Sequence, residues 1–564
     1  MSPSLVLLLG LASFAVRARF RLKRASAIAA LLGLSVGCGD ATEQGGIDNA
    51  REWAEGYVVR LMDGRVQGDA QAGSVRFLKI PYAKPPTGAL RWKAPEKNEA
   101  WSGVRHERAF ASACPQAASS QGPASNVEDC LYLNVWAPEP KPEKAPVMVW
   151  IHGGGNFAGS AGDKVPDPLA NADSLPLFYD GGAFASRHGV VVVTFNYRLG
   201  PFGFFSHPGL ASEGSAPANQ GLLDQRQVLL WVRDNIAAFG GDAENVTIFG
   251  ESAGSSDVCY HVASPQSRGL FQRAISESGG CAASPRGTPD STLAATAEPM
   301  QAFAKAMGCD DDTALACLRG KSVDEIMGQA MQPDPSSGFF DEASWSFSVV
   351  IDGPDGFVPE PAGVLFDRGD IAHVPYLLGS NNDEGAIFTL TTSVPTDAAY
   401  RDLLERAFGD QADAVYAVYP PSQYNGDFKA AYSRVLGDSG LVCGTRDVGQ
   451  RASRAGLPVY MYNFNVPWTV GFGALGAAHA SEIGHVFGSP YMPDADSQKV
   501  SDAMNAYWAQ FARTGDPNFM GAPAAWPRVE PGTDVRLQLD SGFEVLSDFR
   551  KPECEFWQTL QMAR

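Results

Sequence analysis

The sequence predicts an α/β architecture, a mostly parallel central sheet covered by helices on both faces, and three observations carry that prediction. The runs APVMVWI and VVVVTF are continuous, apolar and rich in β-branched residues, and each ends in turn residues, as strands buried on both faces do. Between HGVVVVTFNYR and NVTIFGESAG lies QGLLDQRQVLLWVRDNIAAFGG, whose apolar residues recur at three and four and which closes on paired glycines. It reads as a crossover helix, and strand, helix, strand implies parallel neighbours. HVPYLLGSNNDEG and LPVYMYNFN add two more buried strands, the first ending in a polar turn and the second before a Gly-rich loop.

The chain has 564 residues, 45% hydrophobic and 19% charged, with apolar segments spread along its length, which suits a soluble globular protein with a large core. From Tyr57 onward there is no low-complexity segment and no fixed-period repeat, so residues 52–564 read as one domain. The formal charge is -19. Five basic residues stand before Asp40 with no acidic counterpart, leaving 39 basic against 63 acidic residues in the remainder. With no Lys/Arg-rich stripe after residue 40, nucleic acid and other polyanions are poor partners.

The first 38 residues read as an export leader. Two apolar runs, Ser4 to Val16 and Ala25 to Val36, flank RARFRLKR, and neither reaches the roughly 18 residues of a spanning helix. The basic stretch, the second run and GCGD resemble a bacterial lipoprotein signal, with Cys38 as the lipidated residue and a membrane tether. Ser35 stands where that signal prefers leucine, and ordinary secretion with a free or removed Cys38 is the alternative. Residues 39–51 are small, polar and acidic, as a tether is. The other eight cysteines, an even set, point to an oxidising compartment, although eight allow 105 pairings.

The chemistry begins at IFGESAGSS, which places Ser252 in G-x-S-x-G directly after an apolar strand and before a segment able to turn helical. Gly250 and Gly254 remove side chains where a tight strand-to-helix turn must pass close to its neighbours, lifting the hydroxyl above the sheet edge. A serine hydroxyl is a weak nucleophile at neutral pH, so it needs a base in hydrogen-bond reach and an acid to orient that base. This context expects the order serine, acid, histidine. Of eight histidines, three follow Ser252 by more than twenty residues. His373 precedes its strand; His479 lies in the loop beyond the last strand, and His485 competes with it. The turn NNDEG offers Asp383 and Glu384 as acids at the carboxyl end of a strand, and spacing alone does not choose between them. In WIHGGGNFAGS, the glycines at 153–155 expose backbone N–H groups without side-chain hindrance. Alone they fit a flexible loop or a phosphate cradle; beside a serine elbow they fit an oxyanion hole, with Ala253 as a second source of donors.

Together these motifs resemble the carboxylesterase type B family, which includes cholinesterases, bile-salt-activated lipases and bacterial carboxylesterases. The likeness spans about residues 55 to 560. FLKIPYAKPPTGALRWKAPE resembles the family's opening hairpin, EDCLYLNVWAP its cysteine signature and FGGDAENVTIFGESAG its serine signature. The resemblance implies the α/β-hydrolase fold and a serine carboxylesterase working without metal or cofactor on small-molecule esters. It also implies Glu384 as the acid, His479 as the base, and Gly154, Gly155 and Ala253 as the oxyanion hole. It pairs Cys114 with Cys130, Cys309 with Cys317 and Cys443 with Cys554, leaving Cys259 and Cys281 to pair by elimination.

Departures from the family bear on substrate. The Cys114–Cys130 loop is short and has no tryptophan, unlike the cholinesterase loop that stacks on choline. An insertion of about fifteen residues follows Gly159, through roughly Leu177. Asn156 replaces an aromatic and Ala480 a glycine. FFDEASWSFSVVIDG resembles the acyl-pocket wall, where Trp345 and Phe347 either restrict acyl length or serve as core aromatics. A lipase or sterol-ester hydrolase on the same triad, and remotely a non-catalytic adhesion protein, are the alternatives.

Overall fold

The computed structural model describes residues 53–562 apart from 55, 120–121, 165–176, 283–290, 311–312, 332–346, 468–474 and 490–491. The leader, Cys38, the tether, most of the insertion after Gly159 and Trp345 lie outside the described residues.

Eleven strands form the main sheet. In chain order they are β1 (Asp69–Gln71), β2 (Ser74–Pro81), β3 (Tyr132–Pro138), β4 (Ala145–Ile151), β5 (Val191–Phe195) and β6 (Gly241–Glu251). There follow β7 (Arg273–Glu277), β8 (Tyr376–Asn381), β9 (Val459–Phe464), β10 (Val535–Leu539) and β11 (Val545–Ser547). Their spatial order is β11-β10-β9-β8-β7-β6-β4-β5-β3-β2-β1. Every pairing from β5 through β10 is parallel, and the strands added at either edge are antiparallel.

The apolar runs are continuous because both faces of these strands are covered. Along β4, Val147, Val149 and Ile151 enter one hydrophobic cluster while Met148 and Trp150 enter another, and β5 to β7 split the same way. Helices α2 (Gln220–Asn235) and α3 (Ala253–Ala263) pack on the first face through residues such as Leu222, Val228, Val232, Val258 and Val262. Helices α1 (Gly182–His188) and α6 (Ala495–Thr514) cover the second through Phe184, Val500, Met504, Trp508 and Phe511. The crossover helix read from QGLLDQRQVLLWVRDN is α2, and its chain leaves through Gly240 at φ 86°.

Between β8 and β9 stand α4 (Phe428–Gly437) and α5 (Cys443–Arg454), and α7 (Lys551–Met562) ends the described chain. Four disulfides join Cys114 to Cys130, Cys259 to Cys281, Cys309 to Cys317 and Cys443 to Cys554. Such a set belongs to an oxidising, extracytoplasmic compartment. No described helix is long and apolar enough to cross a membrane. Phe347 is fully buried and meets Phe303 edge-on in the main core, so it packs rather than lining a pocket.

Candidate active site

Ser252 sits at the junction of β6 and α3 with φ 58° and ψ −122°, a backbone conformation that costs a non-glycine residue about 1–3 kcal/mol. Close packing holds it there. Its N–H donates to the Glu277 carbonyl at the end of the adjacent strand (2.9 Å), and its own carbonyl accepts from Ser256 (3.0 Å). A Cβ on Gly250 would come within 2.6 Å of the Ile151 carbonyl oxygen, and one on Gly254 within 2.1 Å of the same atom. These two glycines are required by sterics, as the motif suggests.

The glycine loop leaves β4 and folds against the serine. A Cβ on Gly153 would lie 3.0 Å from Cβ of Ser252, and Gly154, Gly155 and Asn156 follow with φ of 101°, 63° and 61°. Among the described residues, the N–H groups of Gly154, Gly155 and Ala253 donate to no acceptor. Ala253 is also the first residue of α3, so the positive end of that helix dipole points at the site.

Beyond β8, Glu384 turns inward and Asp383 outward. Oε1 of Glu384 accepts from the Asn381 N–H (2.7 Å), and Oε2 lies 2.7 Å from Nδ1 of His479. Asp383 instead receives Arg434 (3.0 Å) and the Ala477 N–H (3.1 Å). Of the two acids that spacing leaves open, Glu384 contacts His479 and Asp383 does not. His485, the competing histidine, is buried against Phe464, its Nδ1 3.4 Å from the Ser481 carbonyl oxygen, and burial lowers it to about 4.

His479 is buried beside Phe388, with ring centroids 5.2 Å apart. Its Nε2 lies 3.1 Å from Oε1 of Glu251, the residue before the serine, and no hydrogen bond joins it to Ser252. Burial alone would lower this imidazole, but the carboxylates of Glu251 and Glu384 overcome it and push it up to about 9. Two further buried carboxylates stand close by. Glu277 accepts from Nε1 of Trp508 (2.7 Å), and Glu482 accepts from Asn381 and from Ser278 (3.3 Å). Burial raises both, Glu482 to about 7. The motif reading passes over Glu251, although a carboxylate beside the serine is its visible signal.

A seven-strand parallel core with a serine elbow at a strand end defines an α/β hydrolase. Residues 55–557 match the Carboxylesterase family, and the chain belongs to it. It is 36% identical to the fumonisin B1 esterase of Sphingopyxis macrogoltabida over 501 residues, covering 85% of each chain. It is 32% identical to the cholinesterase of Mus musculus over 554 residues, covering 89% of this chain and 87% of the other. The acetylcholinesterase of Bungarus fasciatus is also 32% identical, over 555 residues, covering 88% and 86%. The chain is thus a serine ester hydrolase of the type B carboxylesterase family.

Proposed function

We propose that this protein is a serine carboxylesterase that cleaves carboxylic esters through an acyl-enzyme on Ser252. His479 removes the Ser252 proton as Oγ attacks the ester carbonyl carbon, and Glu384 holds the imidazole tautomer through Nδ1. The negative charge that develops on the carbonyl oxygen is received by the N–H groups of Gly154, Gly155 and Ala253. Such donors contribute about 3 to 4 kcal/mol each. The imidazolium then protonates the departing alcohol. Water repeats the sequence on the acyl-enzyme, releasing the acid and restoring Ser252.

The observation that carries this reading is the convergence on one strand edge of a strained serine, three amide N–H groups without acceptors and a Glu384–His479 contact of 2.7 Å. Export through a leader at residues 1–38, with lipidated Cys38 and a tether at 39–51 preceding a catalytic domain at 52–564, completes the proposal and agrees with the four disulfides.

The test is hydrolysis of p-nitrophenyl esters from C2 to C16, and of fumonisin B1, beside Ser252→Ala. Turnover of short chains by the wild type and silence of the variant is the expected result. A preference for long micellar chains would reassign the protein to the lipases, and equal turnover by the variant would remove Ser252 from the mechanism.

A further inference from the structure

Asn156 stands in the glycine loop where the family often has an aromatic residue, and every polar group of its side chain is engaged. Its Nδ2 donates to Oδ1 of Asp257 (3.1 Å) and its Oδ1 accepts from the Tyr197 hydroxyl (2.9 Å). Its backbone carbonyl accepts from the Gly200 N–H (2.7 Å). The same Tyr197 hydroxyl lies 2.8 Å from the His152 carbonyl oxygen, at the point where the loop leaves β4.

Asp257 is completely buried on α3, one turn beyond Ala253. Helical side chains lean toward the N-terminus, so its carboxylate reaches back to the level at which the helix begins. Its second oxygen accepts from Nε2 of Gln225 on α2 (2.6 Å). The rest of the network follows from proton counting. Burial pushes Asp257 up to about 7; ionised above that value it accepts only, which turns the amide N–H groups of both Asn156 and Gln225 toward it. Gln225 then presents Oε1 to Nε2 of His261 (3.0 Å), so that nitrogen carries the proton and Nδ1 accepts from Ser267 (2.8 Å). His261 is correspondingly neutral, lowered to about 3 by burial and by the charge of Arg226. Every donor in this buried line points toward Asp257.

Asparagine tolerates left-handed backbone better than most residues, and φ 61° alone would be a sufficient reason for it here. That reason leaves the side chain idle, whereas here both ends of the amide are bonded at 8% exposure. The pair also adds a side-chain bond between the two supports of the oxyanion-hole donors, beyond the pairing of β4 with β6. Gly154 and Gly155 belong to the loop after β4, Ala253 belongs to α3, and the Asn156–Asp257 bond ties that loop to that helix.

We infer that Asn156 and Asp257 are positioning residues that lock the glycine loop onto the nucleophile helix and so set the spacing of the oxyanion-hole donors. The inference rests on the acyl-transfer reading above. Neither residue touches the ester. Their contribution is to the geometry in which Gly154, Gly155 and Ala253 meet the developing charge, so the pair acts on kcat more than on KM.

Three variants test it: Asn156→Gly, Asp257→Asn and the exchange Asn156→Asp with Asp257→Asn. Asn156→Gly keeps the left-handed backbone free of strain and removes only the side chain. Asp257→Asn places one amide N–H against another. The exchange restores all three bonds: the carboxylate now on the glycine loop accepts from Tyr197 and from the amide now on α3, whose oxygen still accepts from Gln225. Two readouts are used: kcat and KM on p-nitrophenyl butyrate, and the rate at which paraoxon phosphorylates Ser252, followed by intact mass.

Each single variant should lose about 10- to 100-fold in kcat, with KM changed less than about 3-fold and a parallel fall in phosphorylation rate. The exchange should recover most of that loss. An Asn156→Gly enzyme with full kcat and full phosphorylation rate would overturn the inference, leaving Asn156 a backbone accommodation only. So would an exchange no better than Asp257→Asn alone. If the wild type turned over no ester yet its Ser252 labelling still fell in the single variants, the proposed function would fail and this inference would stand.

Discussion

Oε1 of Glu251 lies 3.1 Å from Nε2 of His479, across the imidazole from Oε2 of Glu384 at 2.7 Å from Nδ1. The ring is clamped between two buried carboxylates, one on each nitrogen. Burial drives Glu251 upward while the charge of His479 opposes it.

In the proposed mechanism His479 must be neutral to accept the Ser252 proton, so its raised value of about 9 would set the acid limb of kcat/KM. Activity is therefore expected to climb with pH through about 9. The same shift makes the imidazolium stabilise the fold below the ordinary histidine range, a contribution lost as pH rises through the folded value. Glu251→Gln removes one carboxylate and should move the midpoint of kcat/KM down by about one unit or more. A midpoint unchanged in Glu251→Gln would mean that Nε2 faces Ser252, not Glu251, in the working enzyme.

Asp383 and Glu384 are neighbours with different partners, Arg434 and His479, and conservative amides test which is the acid. Glu384→Gln presents a donor to Nδ1, favouring the wrong tautomer, and should lower kcat by about 10³- to 10⁴-fold with the fold intact. Asp383→Asn weakens the contacts to Arg434 and Ala477, and should cost stability while leaving most of kcat. Steady-state kinetics beside thermal melts distinguish the two, and the reverse ranking in kcat would exchange the acid.

Much of this site is legible in the sequence because its requirements are local. Ser252, Gly250 and Gly254 are fixed by one tight turn, and continuous apolar strands such as VMVWI announce burial on both faces. Spacing cannot separate Asp383 from Glu384, since adjacent residues in one turn differ only in which way the chain rotates. Long-range partners are equally hidden. Asn156 and Asp257 are 101 positions apart, and nothing in either local sequence announces a bond between them. Short edge strands such as β1 and β11 escape a sequence reading because three residues carry too little periodicity.

Ala480, directly after His479, sits at φ 68°, where an L-residue with a Cβ is strained by roughly 1 to 2 kcal/mol. The family's glycine at this position therefore has a backbone reason. Ala480→Gly should raise Tm or at least hold it, the relief of strain outweighing the added freedom of the unfolded chain. Thermal melting at fixed pH reads the result, and a clear loss of stability would mean that the methyl group packs usefully beside the base.

The disulfides should contribute unequally, because closing a longer loop removes more freedom from the unfolded chain. Cys443 and Cys554 are separated by 111 positions and join α5 to α7, whereas Cys309 and Cys317 are separated by 8. Loop-closure entropy gives about 5 kcal/mol for the first and about 2.6 kcal/mol for the second. The buried partners of Cys554 enlarge the difference. Trp557 packs on Phe408 and donates to the Tyr419 hydroxyl (2.8 Å), so releasing α7 also unseats a small hydrophobic cluster. Replacing both cysteines of each pair by alanine, then measuring unfolding in urea, should show the larger loss for the 443–554 pair. Equal losses would mean that α7 stays docked through Trp557 and its neighbours without the covalent link.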